Sequence, residues 1–154
     1  MKKMCYGNIC MFLVFSMLFV SSCGNDDDEP QDIQSSATLE YLLSMWNFLP
    51  DEGIKTGDIY EEFFFGRVVG KTVCTITRVR KGEKKDEYTE IGKDHYNFTY
   101  NAPQVTLTDE KGQIMRTLTV YKLNRNNSYS YLSDRWLLID GKKYNGSFTG
   151  DISF

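Results

Sequence analysis

The sequence predicts an all-β domain: an antiparallel up-and-down barrel of about eight strands behind a short N-terminal helix, with a β-sandwich as the alternative. Three observations predict it. Seven to nine short runs rich in β-branched and aromatic residues follow one another after a single helical pattern. Turn signals separate these runs at short intervals. No long helical segment interrupts the series, so nothing supplies the crossover that parallel strands need.

The helical pattern comes first. Leu39, Leu42, Leu43 and Trp46 keep the i, i+3, i+4, i+7 spacing of one helix face. Ser36 is the N-cap candidate, Glu40 falls in the first turn, and Pro50 stops the element. Trp46-Asn47-Phe48 reads equally as the start of a strand, and Asp51 to Asp58, with two glycines, reads as a loop.

Strands fill the rest. Ile59 to Phe65 is short and aromatic, with Phe63 and Phe65 on one face and Phe64 on the other. Lys71 to Arg80 is rich in threonine and valine, and Arg80 to Glu87 is a charged loop around Gly82. Tyr88 to Ile91 and His95 to Tyr100 read as two separate strands; the second sets Tyr96, Phe98 and Tyr100 on one face. Pro103 ends that run and Val105 to Thr108 resumes it. Asp109-Glu110-Lys111-Gly112 is a hairpin turn with Gly112 at the left-handed position. Gln113 to Leu123 brings Ile114, Leu118 and Val120 together, and Ser128 to Ile139 puts Leu132, Trp136 and Leu138 on one side. Asp140-Gly141 is a strong two-residue turn signal before Lys142 to Phe148, and Asp151 to Phe154 is a candidate closing strand.

Ahead of the domain, Met1-Lys2-Lys3 is positive and Ile9 to Val20 is apolar but for one serine. That run is too short to span a bilayer and has the form of a secretory signal. Its end, Val20-Ser21-Ser22-Cys23, resembles the lipobox of bacterial lipoproteins. The resemblance implies cleavage after residue 22 and diacylglycerol on Cys23, hence a lipid anchor in the membrane. The acids Asp26 to Glu29 resemble the export signal that carries Bacteroidetes lipoproteins to the outer face of the outer membrane; a periplasm-facing anchor is the alternative. Gly24 to Ser35 holds one aliphatic residue and no aromatic, so it reads as a tether of 12 residues. Such a tether spans on the order of 20 Å. The expected organisation is a signal over 1–22, a lipidated tether over 23–35 and a β domain over 36–154.

Removing residues 1–22 takes away Lys2 and Lys3 and no acids, leaving 16 basic and 21 acidic residues and a net charge of −5. This excludes nucleic acid as the expected partner, because a basic surface supplies most of that affinity. Of four cysteines, Cys5 and Cys10 leave with the signal and Cys23 carries lipid. Cys74 alone remains, so no intramolecular disulfide is expected and an ordinary core must hold the domain.

A short helix, a tryptophan near the first strand and a run of up-and-down strands resemble the lipocalin-like domains of small Bacteroidetes lipoproteins. The segments that carry the resemblance are LLSMWNF (42–48), FFFGRVVGKTVCTI (63–76) and YNFTYNAPQVTLTDEKGQ (96–113). No glycine stands two residues before Trp46, where that family usually has Gly-x-Trp. The resemblance implies a small barrel, sometimes with an apolar cavity, and no family-wide catalytic residues.

Motifs for chemistry are poor. Gly66 to Thr72 has three residues between its glycines where a phosphate loop needs four, and a strand follows where a helix should. It reads as a hairpin turn. Cys74 and His95 are the only nucleophile–base pair to consider, but Cys74 lies in a β-branched strand where cysteine is usually a small buried hydrophobe. One histidine and one cysteine fall short of a zinc site, so no metal or cofactor is expected. Glu61 and Glu62 are neighbours on a strand and point to opposite faces. The chain is therefore expected not to be an enzyme.

The aromatic faces are the remaining signal. Tyr96, Phe98, Tyr100, Tyr129, Tyr131 and Trp136 are candidate lining residues for a small hydrophobic or amphipathic ligand in the barrel mouth. The same pattern also describes plain core. The other functional expectation is an accessory subunit of an outer-membrane protein complex, acting through its outer surface.

Overall fold

The computed structural model describes residues 33–124 and 135–147. Its elements are β1 (Ile33–Ser35), α1 (Leu39–Leu42), β2 (Ser44–Phe48), β3 (Ile59–Val68), β4 (Lys71–Lys81), β5 (Tyr88–Asn101), β6 (Gln104–Thr108), β7 (Ile114–Asn124), β8 (Trp136–Ile139) and β9 (Lys142–Ser147). Strands β2 to β9 pair in series, all antiparallel, and β9 pairs back onto β2. The result is a closed eight-strand barrel, which leaves its members without free outer edges except where one strand outruns its neighbour. The ninth strand, β1, lies outside the ring and pairs with Lys122–Asn124 of β7. It takes up the last three residues of the segment expected to be a tether. The candidate closing strand at 151–154 lies outside the described residues.

The expected helix is cut to one turn. Thr38, not Ser36, caps it: Thr38 Oγ1 accepts from Tyr41 N at 3.1 Å. Trp46 belongs to β2, which is paired on both edges, with β3 and with β9. A two-turn helix is marginal on its own, and ladder bonds on both sides outweigh it.

The two strands expected at 88–91 and 95–100 are one strand of 14 residues. Its partner β4 has 11 residues and offers a continuous template, so pairing overrides the weak strand propensity of Gly92-Lys93-Asp94. A bulge absorbs the mismatch: Val79 faces Glu90 and Arg78 faces Gly92, leaving Ile91 as the extra residue. The bulge sets Glu90 and Lys93 on one face, where they form an ion pair at 3.0 Å.

Register carries the inward positions around the wall. Ser44, Phe65, Cys74 and Tyr96 form one row; Trp46, Phe63, Ile76 and Asp94 form the next. Tyr100, Val105 and Leu118 continue the wall on the far side, and Leu137 and Tyr144 bring it back to Phe48. Gly146 stands opposite Trp46. A Cβ there would lie 2.8 Å from the indole ring, so only glycine lets β9 close over that side chain.

At the β3–β4 hairpin both central residues have positive φ, 47° at Val69 and 77° at Gly70, the pattern of a type I′ turn. Gly66 lies within β3 and takes no part in the turn. A β-branched residue is strained in this region, whereas asparagine is at home there. Val69→Asn is expected to stabilise the domain by roughly 1 kcal/mol. A urea titration checks this: the midpoint should rise at unchanged slope.

Candidate functional site

The lumen is filled by its own side chains. Phe63 and Phe65 stack at 6.0 Å, Phe63 meets Tyr144 edge-on at 5.4 Å, and Phe65 meets Phe98 edge-on at 5.3 Å. These rings, with Trp46, Leu107, Leu118 and Ile139, are at most 3% exposed. Of the candidate lining residues, Phe98 is part of this core, and Tyr96 and Tyr100 pack against it half-buried. Trp136 is different. Its neighbours Leu137 and Ile139 are the core residues of β8, so by alternation Trp136 and Leu138 face outward. Both faces of β8 are apolar, and the alternation alone did not say which would turn in. Tyr129 and Tyr131 lie outside the described residues.

One end of the barrel is plugged by the segment leading into β2. Ala37 and Leu42 join the core, and Trp46 Nε1 donates to Leu42 O at 2.8 Å. Tyr100 Oη donates to Ala37 O at 2.7 Å, and Tyr41 Oη bridges to Trp136, donating to its carbonyl at 3.0 Å and accepting from its N–H at 2.9 Å. The Arg135 guanidinium lies over the rings of Tyr41 and Trp46, 4.9 and 5.4 Å away, and donates to Tyr41 O. This end is sealed by satisfied polar groups as well as by packing.

The other end is a mouth lined by charge. Arg116 on β7 donates from Nη1 to Glu61 Oε2 on β3 at 2.8 Å and from Nη2 to Asp140 Oδ2 at 3.4 Å. β3 and β7 are four strands apart in a ring of eight, so the Glu61 bond crosses the lumen. Asp140 also accepts from Thr119 N at 2.8 Å, which fastens the β8–β9 turn to β7 where β8 ends. Burial alone would lower the Arg116 pKa, but hydrogen bonds and charge from Glu61 and Asp140 outweigh it and hold it up. The guanidinium lies 5.8 Å from the Phe63 ring centre, so this network forms a lid over the aromatic core. Arg78 and Asp94 add a rim pair at 3.0 Å.

The sequence contains the signal for this network, although the aromatic pattern hid it. Glu61 shares the inward phase of Phe63 and Phe65, and Arg116 shares that of Leu118 and Val120. A charged residue on an apolar face asks for a partner across the core. Which partner it finds depends on the ring closing.

No described geometry assembles a catalytic set. Cys74 points inward and is fully buried; burial pushes its thiol well above the usual range. His95 is on the outer face, where Nδ1 lies 3.0 Å from Thr75 Oγ1. The two are on opposite sides of the wall. Glu61 and Glu62 are also on opposite faces; half-burial pushes the Glu62 carboxyl up, and burial followed by the Glu62 charge raises Tyr60 to about 12. The 66–72 segment is strand, tight turn and strand, without the helix a phosphate loop requires. No group of three or more metal-ligating side chains occurs among the described residues.

The hollows found among the described residues lie outside the packed lumen. One of about 530 Å³ at the mouth is bounded by Phe48, Pro50, Lys55, Asp58 and Lys142. Another of about 320 Å³ on the outer wall has Phe64, Val68 and Val73 as its apolar floor and His95 and Glu110 among its polar walls. A third of about 340 Å³ lies beside Tyr121 and Leu138.

Replacing Arg116 by methionine leaves Glu61 and Asp140 without their cation in a half-dry mouth. The expected loss is roughly 1–2 kcal/mol, discounted because all three groups are partly solvated. Replacing Glu61 by leucine in the same chain should restore most of it, and denaturant midpoints of the single and double variants check both. Cys74 in the native protein should react with iodoacetamide at least about a hundredfold more slowly than a free thiol and become reactive only on unfolding, as mass spectrometry of the alkylated protein would read. Comparison with protein-family models, with curated proteins and with solved structures found no match to the chain.

Proposed function

We propose that this protein is a lipid-anchored, non-enzymatic barrel that acts through its outer surface, as an accessory subunit that engages a protein partner at the outer membrane. The observation that carries the reading is the packed lumen: the inward rings of Phe63, Phe65, Phe98 and Tyr144 pack on one another. The anchor reading rests on Val20 to Cys23 and the acids that follow.

The surface best suited to a partner is the mouth-end half of β5. Among the described residues, 88–96 have β4 on one side, and β6 joins the other side only at Asn97. An exposed strand edge is a template for strand addition. Ile91, at the bulge, is 43% exposed, and Tyr88 is also exposed. Ile114 and Met115, at the mouth end of β7, are exposed as well.

A second reading is favoured by the mouth hollow. Its apolar Phe48 and Pro50 and its lysines would suit a small amphipathic ligand, and its volume lies within the range of ligand sites. Photo-crosslinking in native membranes separates the two. A crosslinking residue in place of Ile91 should capture a partner protein, and one in place of Tyr121, on the outer face of β7, should not. Capture at neither position, with a bound small molecule in native mass spectra that Phe48→Ala abolishes, would replace the first reading by the second.

A further inference from the structure

The chain reaches the barrel at its plugged end. β1 pairs with Lys122–Asn124, the end of β7 that lies by α1, so the segment from Cys23 arrives there. Nine residues, 24–32, separate Cys23 from β1, and a polar segment of that length would span about 17 Å as a coil. The plugged end therefore stays close to whatever surface holds Cys23.

One element at that end is poorly suited to water. The β3–β4 hairpin projects beside α1, as the contact between Arg67 Nη2 and Glu40 Oε1 at 3.8 Å shows. At its tip Val69 is 97% exposed and Val68 46% exposed. Val69 also holds a φ of 47°, which a β-branched residue disfavours. Solvation and backbone both argue against valine there, and no packing among the described residues offsets either. Arg67 and Lys71 flank the pair, and Ile33 on β1 at the same end is 66% exposed. Aliphatic residues between two basic ones suit the boundary of a phospholipid bilayer: the methyl groups enter the acyl region while the long cationic side chains reach back to phosphates.

We propose that the β3–β4 tip, Val68-Val69 between Arg67 and Lys71, dips into the bilayer that anchors Cys23. Two valines are too little to recruit a protein from solution. Once the tether has raised the local concentration, they suffice to orient it. The barrel would then stand with its plugged end on the lipid and its mouth, with the free half of β5, facing away. This inference rests on the anchor reading above.

The test uses the full-length lipoprotein in phosphatidylethanolamine–phosphatidylglycerol vesicles, with a nitroxide label on Val69→Cys or, at the opposite end, on Lys111→Cys. Cys74 is buried and should not take the label. The label at 69 should collide with a water-soluble relaxer at least about threefold less often than the label at 111, and with oxygen dissolved in the lipid more often. The mass of the mature N-terminus is measured on the same samples. An acylated Cys23 with equal water access at both positions overturns the hairpin contact and leaves the anchor standing. An unacylated Cys23 overturns the anchor and this inference together.

Discussion

The closure of β9 on β2 is the constraint on which the rest depends. Trp46 occupies the centre of that seam. Its ring lies over Gly146, its indole N–H is bound to Leu42 O, and the Arg135 guanidinium lies over its face. Ser44 Oγ donates to Ser147 O at 2.6 Å on the same seam. Without the seam, β2 and β9 would be long bare edges and the sheet would be open. With it, the same tryptophan fixes where α1 sits, because its donor is already bound to the last helical residue. Closing the ring and plugging its end are thus one event seen from two sides. A side chain at position 146 would meet the indole and oppose both.

Closure also decides what the interior can do. A small eight-strand barrel has room for side chains or for one small ligand. Here phenylalanine, tyrosine and tryptophan take the room. The charges that share their faces are then driven to the mouth, where Arg116 pairs with Glu61 across the lumen and with Asp140 at a turn. These groups remain about one-third exposed, so they keep much of their hydration while excluding water from the rings below. That arrangement explains why the interior is charged at one end without an orphaned buried charge. It also moves attention to the exterior, where β5 outruns β6 and where apolar residues are exposed at both ends of the barrel.

The two ends differ in kind. The plugged end carries the chain's entry and a strained, solvent-exposed valine hairpin. The mouth carries the ion-pair network, a hollow of about 530 Å³ and the half of β5 that β6 does not pair with. Under the anchoring proposed above, the plugged end would lie at the membrane and the mouth would present the strand edge of β5 away from it. Val69 shows the cost most directly, since a better turn residue is available at that position.

Much of the fold was legible in the sequence because it is local. Period-two alternation assigned Phe63 and Phe65 against Phe64, and Tyr96, Phe98 and Tyr100 against their neighbours. Asp140-Gly141 and Gly112 marked hairpins because positive φ is a property of single residues. The separate reading of residues 88–91 and 95–100 failed where a long partner strand overrode a weak local pattern. Both faces of β8 are apolar, and a single strand carries no information on which of two apolar faces turns inward, so the sequence leaves Trp136 undecided. The ion-pair lid is not legible in the sequence because Glu61 and Arg116 are 55 positions apart and meet only across a closed lumen. What the sequence by itself determined was an antiparallel all-β domain, the strand faces and the turns, since these follow from side-chain alternation and backbone preference. Only the tertiary structure decided that the ring closes, that aromatic side chains fill it and that opposite charges meet over them, because those contacts join residues that become neighbours only after every intervening strand has paired.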